Sequence, residues 1–203
     1  NGQCTRSEYN EYLGELGDII CEHDNLLRHS HFVFIPGPND PGGSGILPRA
    51  PIPSCFSKHL SDKILAVNAD ARITFTTNPT RIMFYSQTLV FFRENLLQKM
   101  LQHSVISPDE DSETDLTEQL VRTIIEQSHL CPYPTRNLFS TYDSALRLYP
   151  LPHKVILADK CREFLHDYAD CGVVNPGSFE EDFGFIVYRP ATQETEFSKV
   201  YNE

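Results

Sequence analysis

Basic residues are scarce in this sequence. Lysine and arginine total 17 against 28 aspartate and glutamate residues, which gives a formal net charge of −11 and a pI near 5.1. Affinity for DNA comes chiefly from lysine and arginine contacts to phosphates, so a surface with this balance repels the DNA backbone. We therefore expect any DNA contact to be weak or indirect, through a local patch or through partners.

Metal-binding cysteine pairs are also missing. None of the cysteines has the C-x-x-C spacing of a zinc ribbon or a thioredoxin-like motif. The six cysteines are Cys4, Cys21, Cys55, Cys131, Cys161 and Cys171. Scattered cysteines in an acidic chain predict reduced thiols of an intracellular protein. No run of about 18 apolar residues exists, so no membrane span is expected.

The start of the sequence, Asn1-Gly2-Gln3, resembles neither a signal peptide nor an initiation site. We therefore expect the 203 residues to be a piece of a longer protein. Hydrophobic residues make up 40% and charged residues 22%, which is enough for a packed core and argues against global disorder.

Helical and strand patterns are mixed along the chain. Residues 5–28 predict one long helix, because Thr5-Arg6-Ser7-Glu8 fits a capping box and apolar residues then recur at helical spacing. The apolar run Phe32–Ile35 predicts a fully buried strand. Residues 36–54 are rich in proline and glycine and predict an ordered loop.

The remaining patterns predict a layered α/β (α+β) fold. Residues 72–77, 80–85 and 88–92 predict a meander of three strands, with turns at Asn78-Pro79 and Ser86-Gln87. Two helices (94–103 and 114–128), an acidic surface loop between them (108–113) and four further strands (154–158, 172–175, 183–189 and 194–200) follow. The sheet topology does not follow from the spacing.

Candidate functional residues lie in loops, where open α/β sheets carry their sites. Gly37-Pro38-Asn39-Asp40 follows the first strand, Ala158-Asp159-Lys160-Cys161 follows a later strand, and His129-Leu130-Cys131-Pro132 follows a helix. The order of these segments resembles the calcineurin-like metallophosphoesterase fold, in the version used by B-subunits of DNA polymerases. The resemblance runs from about Glu15 to Val200 and implies a β-sandwich flanked by helices.

Active members of the phosphoesterase family carry G-N-H-D/E after a strand, a later isolated histidine and G-H-x-H after a further strand, and these residues bind two metal ions. Here Gly37 and Asp40 are kept, while Pro38 and Asn39 replace the asparagine and the histidine. His129 matches the isolated histidine. The last motif is replaced by Ala158, Asp159, Lys160 and Cys161. The resemblance therefore implies a catalytically degenerate site with no catalytic residue, no metal and no cofactor.

Five further segments resemble the epsilon type of B-subunit. They are Phe34–Gly42 with Ile46–Arg49, Thr77–Arg81, His129–Pro132, Ala145–Pro150 and Val174–Phe179. Five such segments in this order and at suitable spacing indicate the epsilon type more strongly than any single segment does.

The resemblance implies a nuclear, non-catalytic scaffold subunit in chromosomal DNA replication. Its expected partner is the C-terminal region of the catalytic subunit of DNA polymerase epsilon. Residues 1–203 would form the C-terminal portion of the inactive phosphoesterase-like domain. The upstream strands, an oligonucleotide-binding-type barrel and an N-terminal helical domain, which links such subunits to the replicative helicase, would lie outside the chain. The alternatives are a B-subunit of polymerase delta or alpha, a nucleic-acid-binding module and a working metallophosphoesterase.

Several residues allow a structural and a functional interpretation. Asn39-Asp40 is predicted to form a turn rather than a cation site, and His129 to be a structural hydrogen-bonding residue rather than a ligand. The turn signals of Asn175-Pro176-Gly177-Ser178 are favoured over a phosphate-binding loop. Local ion pairs, rather than a basic patch, are predicted for Arg81, Arg93, Arg136 and Arg147. Positions in the core, rather than stacking on bases, are predicted for Tyr85, Phe91 and Phe92.

Overall fold

The computed structural model describes residues 6–42, 45–106, 115–133 and 137–200. The chain divides into two compact units, Asn1–Ser44 with Arg49–Thr77 and Gly45–Pro48 with Asn78–Glu203. Each unit has a core of its own and is described by itself.

The first unit is a small α/β layer. Its elements are α1 (Arg6–Cys21), α2 (Asp24–His29), β1 (His31–Phe34), α3 (Ser54–Val67) and β2 (Arg72–Phe75). The two strands pair in parallel with Phe34 opposite Phe75, and the two rings stack with centroids 4.9 Å apart. Parallel neighbours need a crossover connection, and α3 provides it.

Small residues let α1 approach α3 closely. Gly14 and Gly17 are buried on α1, and a Cβ at Gly14 would lie 3.0 Å from the ring of His59. Lys63 of α3 donates to the Gly14 carbonyl oxygen (3.1 Å) and to both carboxylate oxygens of Asp18 (2.7 Å). The core of this unit is formed by Ile20, Leu27, Leu60 and Ile64.

The second unit is built on a mixed five-stranded sheet. Its elements are β3 (Thr80–Phe84), β4 (Gln87–Phe92), α4 (Leu96–Gln102), α5 (Leu116–Glu126), a 3₁₀ segment (Ser140–Leu146), β5 (Lys154–Leu157), β6 (Phe164–Tyr168), β7 (Cys171–Asn175), α6 (Phe179–Asp182), β8 (Gly184–Arg189) and β9 (Glu194–Lys199). The strand order is β3-β4-β5-β7-β6. The three central strands are parallel, the outer two are antiparallel to their neighbours, and β8 and β9 form a separate antiparallel hairpin.

Successive side chains along the central strands point to opposite faces of the sheet, and apolar residues on both faces form two apolar layers. Val90, Val155 and Val173 belong to the larger core, which also contains Leu120 and Ile124 of α5. The opposite face carries a smaller cluster, formed by Leu89, Ile156 and Val174 with Ile186 and Tyr188 of β8 packed against it. The sheet is therefore covered by a helix on one face and by a hairpin on the other.

The predicted layered α/β class is confirmed, and most later strands and helices lie close to their predicted bounds. Three predictions are wrong. The helix over 5–28 is interrupted, because the chain leaves the helical conformation at His23 (φ −114°, ψ 84°); the proposed cap at Thr5 lies outside the described residues. β1 is partly rather than fully buried. The meander lacks its first strand, since β2 pairs with β1.

The structure also corrects the expectations for two elements and one side chain. Neither α3 nor β6 is predicted by the sequence patterns, and the loop that was expected to reach residue 54 ends at Pro53. Phe92 is buried and Phe91 is partly buried, as predicted, but Tyr85 is 87% exposed and is not a core residue. The acidic loop 108–113 lies outside the described residues.

Two further features concern the cysteines and the helices in the part of the chain that the structure describes. Cys21, Cys55, Cys131, Cys161 and Cys171 are thiols rather than disulfides, and Cys4 lies outside the described residues. Among the described helices, none combines the length and the apolar character that crossing a membrane requires.

Candidate functional site

Three loops leave the sheet side by side. Because β4, β5 and β7 are parallel neighbours, their carboxyl ends lie at the same end of the sheet, and the chain leaves them at Arg93, Ala158 and Pro176. Open α/β sheets bind their ligands at this end. The side chains in these loops therefore form the candidate site of the second unit.

Asp159 points into the protein at this end of the sheet and is 4% exposed. Its Oδ2 accepts hydrogen bonds from the backbone N–H groups of Leu96 (2.7 Å) and Leu97 (2.8 Å), and its Oδ1 accepts one from Cys161 N–H (3.2 Å). Leu96 and Leu97 open α4, so the carboxylate satisfies N–H groups that have no partner within the helix. Asp159 thus caps the N-terminus of α4 from a loop that is distant in sequence.

Asn175, at the end of β7, holds the same loop from the other side and is fully buried. Its Oδ1 accepts from Asp159 N–H (3.0 Å). Its Nδ2 donates to the carbonyl oxygens of Cys161 (2.9 Å) and Arg162 (3.1 Å). The conformation of residues 159–162 is therefore fixed by two side chains of the protein itself.

The loop after β4 contains a second buried carboxylate. Glu94 is 1% exposed, and its Oε1 lies 3.0 Å from Lys99 Nζ and accepts from Asn95 N–H (2.9 Å). A buried charge needs such a partner. The preceding residue is clamped by Asn78, whose Nδ2 donates to Arg93 O (2.7 Å) and whose Oδ1 accepts from Arg93 N–H (3.1 Å). The polar groups of this loop, too, have hydrogen-bond partners within the protein.

The other residues of the loop after β5 are poor metal ligands. Ala158 has no donor atom, and Lys160 is exposed. Burial and the nearby Asp159 carboxylate raise the pKa of the Cys161 thiol to about 12, which disfavours the thiolate form that binds metal ions. Among the described residues, no three His, Cys, Asp or Glu side chains are grouped so that they could hold a metal ion.

His129 follows α5, and both of its ring nitrogens form hydrogen bonds within the protein. Nδ1 accepts from Cys131 N–H (3.0 Å), which assigns the ring proton to Nε2, 3.2 Å from Asp143 Oδ1. Asp143 also pairs with Arg147, and these hydrogen bonds, from Arg147 first and then from His129, lower the pKa of the Asp143 carboxyl. His129 therefore links the end of α5 to the 3₁₀ segment Ser140–Leu146, which contains Asp143.

The loop Gly37–Asp40 belongs to the first unit and is closed as a turn. Asp40 Oδ2 accepts from Gly37 N–H (2.6 Å), and its Oδ1 accepts from the Tyr9 hydroxyl (3.3 Å). A carboxylate that bonds to nearby backbone in this way stabilises a turn. Pro38 supplies no donor atom to the loop, and Asn39 is exposed.

The positions predicted to be remnants of a metal site fall in both units. Gly37, Pro38, Asn39 and Asp40 lie in the first unit, and His129, Ala158, Asp159, Lys160 and Cys161 lie in the second. The structure brings Asp159 and Cys161 into one hydrogen-bonded loop. The assignment of all nine positions to one former metal site stays a prediction.

Sequence reasoning missed Glu94 and undervalued Asn175. Glu94 follows β4, the strand next to β5, so its loop is the direct neighbour of the loop that contains Asp159. An apolar strand followed by a charged residue was the available signal. The sequence patterns place Asn175 at the end of a predicted strand and at the start of a turn, but they do not indicate the buried hydrogen bonds of its side chain.

Among the described residues, the predicted local ion pair is observed for Arg147 but not for Arg81. Arg147 pairs with Asp143 at 2.9 Å, whereas Arg81 donates to the carbonyl oxygen of Arg147. Arg136 lies outside the described residues.

Similar solved structures include an archaeal phosphodiesterase and a protein of Thermus thermophilus. The first is 9% identical with a TM-score of 0.40 and covers 96% of this chain and 94% of that one. The second is 12% identical with a TM-score of 0.43 and covers 96% and 81%. Scores this low carry no argument about fold or function.

Relatives identified by sequence are more similar to this chain than these solved structures are. The B-subunit of DNA polymerase epsilon from Arabidopsis thaliana is 41% identical over 194 residues, which are 95% of this chain and 36% of the relative. The mouse and human DNA polymerase epsilon subunit 2 are each 38% identical over 191 residues, 93% of this chain and 35% of the relative. The chain thus spans about a third of the length of these relatives. A family model that describes the B-subunit of DNA polymerase alpha/epsilon matches residues 1–166, most of the sequence, and the chain therefore belongs to this family.

Proposed function

We propose that this chain is part of a non-catalytic accessory subunit of the DNA polymerase epsilon complex. Within that subunit it acts as a scaffold that binds the C-terminal region of the polymerase catalytic subunit. Family membership and the names of the Arabidopsis and mammalian relatives support the role. A subunit with this role works in the nucleus, in chromosomal DNA replication.

The contact between Asp159 and the start of α4 carries the non-catalytic part of the proposal. A metal ligand must direct its lone pairs into an open site. Here three backbone N–H groups occupy the two oxygens of Asp159. A two-metal phosphoesterase further needs several donors converging on ions about 3.5–4 Å apart, and Pro38 and Ala158 supply none.

The charge of the chain supports a protein partner over DNA. A net charge of −11 opposes the approach of phosphates, whereas it does not hinder a protein surface of suitable chemistry. The chain covers about a third of its relatives, so contact with the replicative helicase is proposed for other parts of the subunit.

The test is co-purification of the full-length subunit with the C-terminal region of the polymerase epsilon catalytic subunit. The corresponding region of polymerase delta serves as the matched control. We expect capture by the epsilon region alone. If neither region captures a folded subunit, the scaffold role is wrong; bound manganese or zinc together with phosphodiester hydrolysis would then favour the enzyme.

A further inference from the structure

Helix α1 has two sides that suit a neighbour. On one side, Gly14 and Gly17 are buried where the helix meets α3. On the other side, Tyr12 is 61% exposed, Leu16 37% and Ile19 56%. A helix at the surface of a domain has one apolar face, which it buries against the core. A further apolar face that is exposed to solvent marks a site of interaction.

The exposed residues form a single row, which we call the outer stripe (Tyr12, Leu16 and Ile19). Their spacing is i, i+4 and i+7, which places the three side chains on one side of the helix. Steps of four and three residues are also the spacing by which two packed helices meet along an apolar seam. The outer stripe therefore fits a second helix.

Carboxylates flank the outer stripe on one side. Glu11, Glu15 and Glu22 are exposed, and at 3.6 residues per turn they lie within about 40° of one another around the helix axis. No described residue forms an ion pair with any of the three, whereas Asp18 pairs with Lys63 of α3 (2.7 Å). Lysine or arginine beside the seam of the second helix would neutralise these charges.

The same carboxylates argue against a second copy of the chain on this face. A two-fold dimer brings identical patches together, so the acidic sides of both α1 helices would meet at one interface. Like charges at such a seam destabilise it. An anionic membrane surface or a nucleic acid is opposed for the same reason. A basic amphipathic helix remains as the occupant.

The size of the outer stripe indicates where this helix comes from. Stable complexes between separate proteins bury roughly 800 Å² on each partner, contributed by about 20–30 residues, whereas the stripe has three large side chains. A segment of the same polypeptide is already held nearby and loses less freedom when it docks. The Arabidopsis relative has ample chain for such a segment, because these 203 residues match 36% of its length.

We infer that the outer stripe packs against a basic amphipathic helix of the same subunit that lies outside these 203 residues. Its apolar residues meet the stripe, and its lysine or arginine residues meet Glu11, Glu15 and Glu22. The face is then an internal interface of the subunit and not the place where the catalytic subunit binds. The inference goes beyond the proposed scaffold function and rests on it only in treating the chain as part of a longer subunit.

Photo-cross-linking of the full-length subunit identifies the neighbour. In Tyr12→p-benzoylphenylalanine the new side chain is aromatic like tyrosine, and on irradiation it bonds to a C–H group that it touches, whichever residue that is. An equal mixture of ordinary and isotope-labelled subunit separates links within one polypeptide from links between copies. We expect a link, within one polypeptide, to a segment outside these 203 residues. A link between copies, or no link at all, would overturn the inference.

Thiol labelling of Ile19→Cys measures whether the face is covered. The rate of labelling in the folded full-length subunit is compared with the rate in urea, and Cys55, an exposed thiol of α3, is the internal control. We expect Ile19→Cys to react at least about tenfold more slowly in the folded subunit, and Cys55 to show little difference. Equal rates at position 19 in the two conditions would mean that the stripe is not covered.

Charge reversal tests the basic character of the docked helix. In the Ile19→Cys background, Glu15→Lys with Glu22→Lys should speed labelling at position 19 by roughly threefold or more, because the opposite charges across the seam are lost. Glu118→Lys, at an exposed glutamate of α5, is the matched control and should leave the rate unchanged. An unchanged rate after reversal at both Glu15 and Glu22 would show that the neighbour is not basic along this side.

The outcomes also separate this inference from the scaffold role. In the complex with the C-terminal region of the catalytic subunit, position 12 should cross-link to the same segment as in the isolated subunit. A link to the catalytic subunit instead would overturn this inference and support the scaffold role. The expected link in a subunit that captures no catalytic subunit would overturn the scaffold role alone.

Discussion

The carboxylate of Asp159 accepts a 2.7 Å hydrogen bond from the backbone N–H of Leu96, although 63 residues separate the two in sequence. A carboxylate offers two oxygens to the three N–H groups that meet here, whereas a neutral imidazole would offer one acceptor nitrogen. The hydrogen bonds of Asp159 therefore give this position a structural role.

A histidine at position 159 should destabilise the protein. We expect Asp159→His to lower the free energy of unfolding by about 2–3 kcal/mol, because the start of α4 loses its buried acceptor. The variant should gain no affinity for manganese. Chemical denaturation and metal titration measure the two effects, and Lys160→Ala, on the exposed neighbouring side chain, should leave stability unchanged. Manganese binding by Asp159→His at wild-type stability would contradict this account.

The limits of sequence reasoning are clear at this site. The strand before Ala158 could be predicted, because Val155, Ile156 and Leu157 form a continuous apolar run that a buried parallel strand requires. The capping role of Asp159 could not be predicted, since its partners on α4 are distant in sequence and adjacent only through the pairing of β4 with β5.

The same physical reason explains the errors in the fold. The parallel pairing of β2 with β1 joins strands about 40 residues apart, which local turn signals at Asn78-Pro79 cannot indicate. β6 was missed because its polar residues His166 and Asp167 interrupt the apolar pattern. α3 was missed because the proline-rich stretch before it, ending at Pro53, obscured the start of the helix.

His129 should contribute to stability through its two hydrogen bonds. His129→Phe keeps a ring of similar shape but removes the acceptor for Cys131 N–H and the donor to Asp143, so the free energy of unfolding should fall by about 1–2 kcal/mol. Chemical denaturation measures the change. Asp143→Asn weakens one of these two contacts together with the solvent-exposed ion pair to Arg147, which contributes little, and should have the smaller effect. Unchanged stability of His129→Phe would show that the ring nitrogens are not needed for the fold.

The tight packing around β7 requires a glycine at position 172. A Cβ there would lie 2.5 Å from Lys154 Nζ and 2.9 Å from Asp167 Oδ1. Lys154 is 7% exposed, with Nζ 5.4 Å from the centre of the Tyr188 ring, so its side chain is confined. We expect Gly172→Ala to cost about 1–3 kcal/mol of unfolding free energy in chemical denaturation.

A second glycine in a strand provides the control for this change. A Cβ at Gly184 would meet its nearest atom, the carbonyl oxygen of Pro176, at 3.5 Å, which is an ordinary contact. Gly184→Ala should therefore change stability much less than Gly172→Ala. Equal effects of the two substitutions would mean that the crowding beside Lys154 is relieved without cost.

Two thiols, the partly buried Cys161 and the buried Cys171, should make the protein sensitive to alkali. Burial raises the pKa of Cys171 to about 11 and that of Cys161 to about 12, from an ordinary value of 9.0. Above pH 9 the unfolded chain therefore loses thiol protons that the folded chain retains. Stability that is fully present below pH 9 is then lost progressively until the folded-state pKa is reached.

The alkaline loss of stability can be assigned to one thiol by substitution. For Cys171, which is fully buried, the unfolding free energy should fall by up to about 1.4 kcal/mol per pH unit between pH 9 and 11. Urea denaturation across this range measures the slope. Cys171→Ala should make this slope shallower and leave the contribution of Cys161, although the variant begins from a lower stability at neutral pH. Cys55→Ala, at an exposed thiol, should leave the slope unchanged. Equal slopes of unfolding free energy against pH for the wild type and Cys171→Ala would contradict this account. They would show that the Cys171 thiol has the same pKa in the folded and unfolded chains, because a raised folded-state pKa requires this dependence on pH.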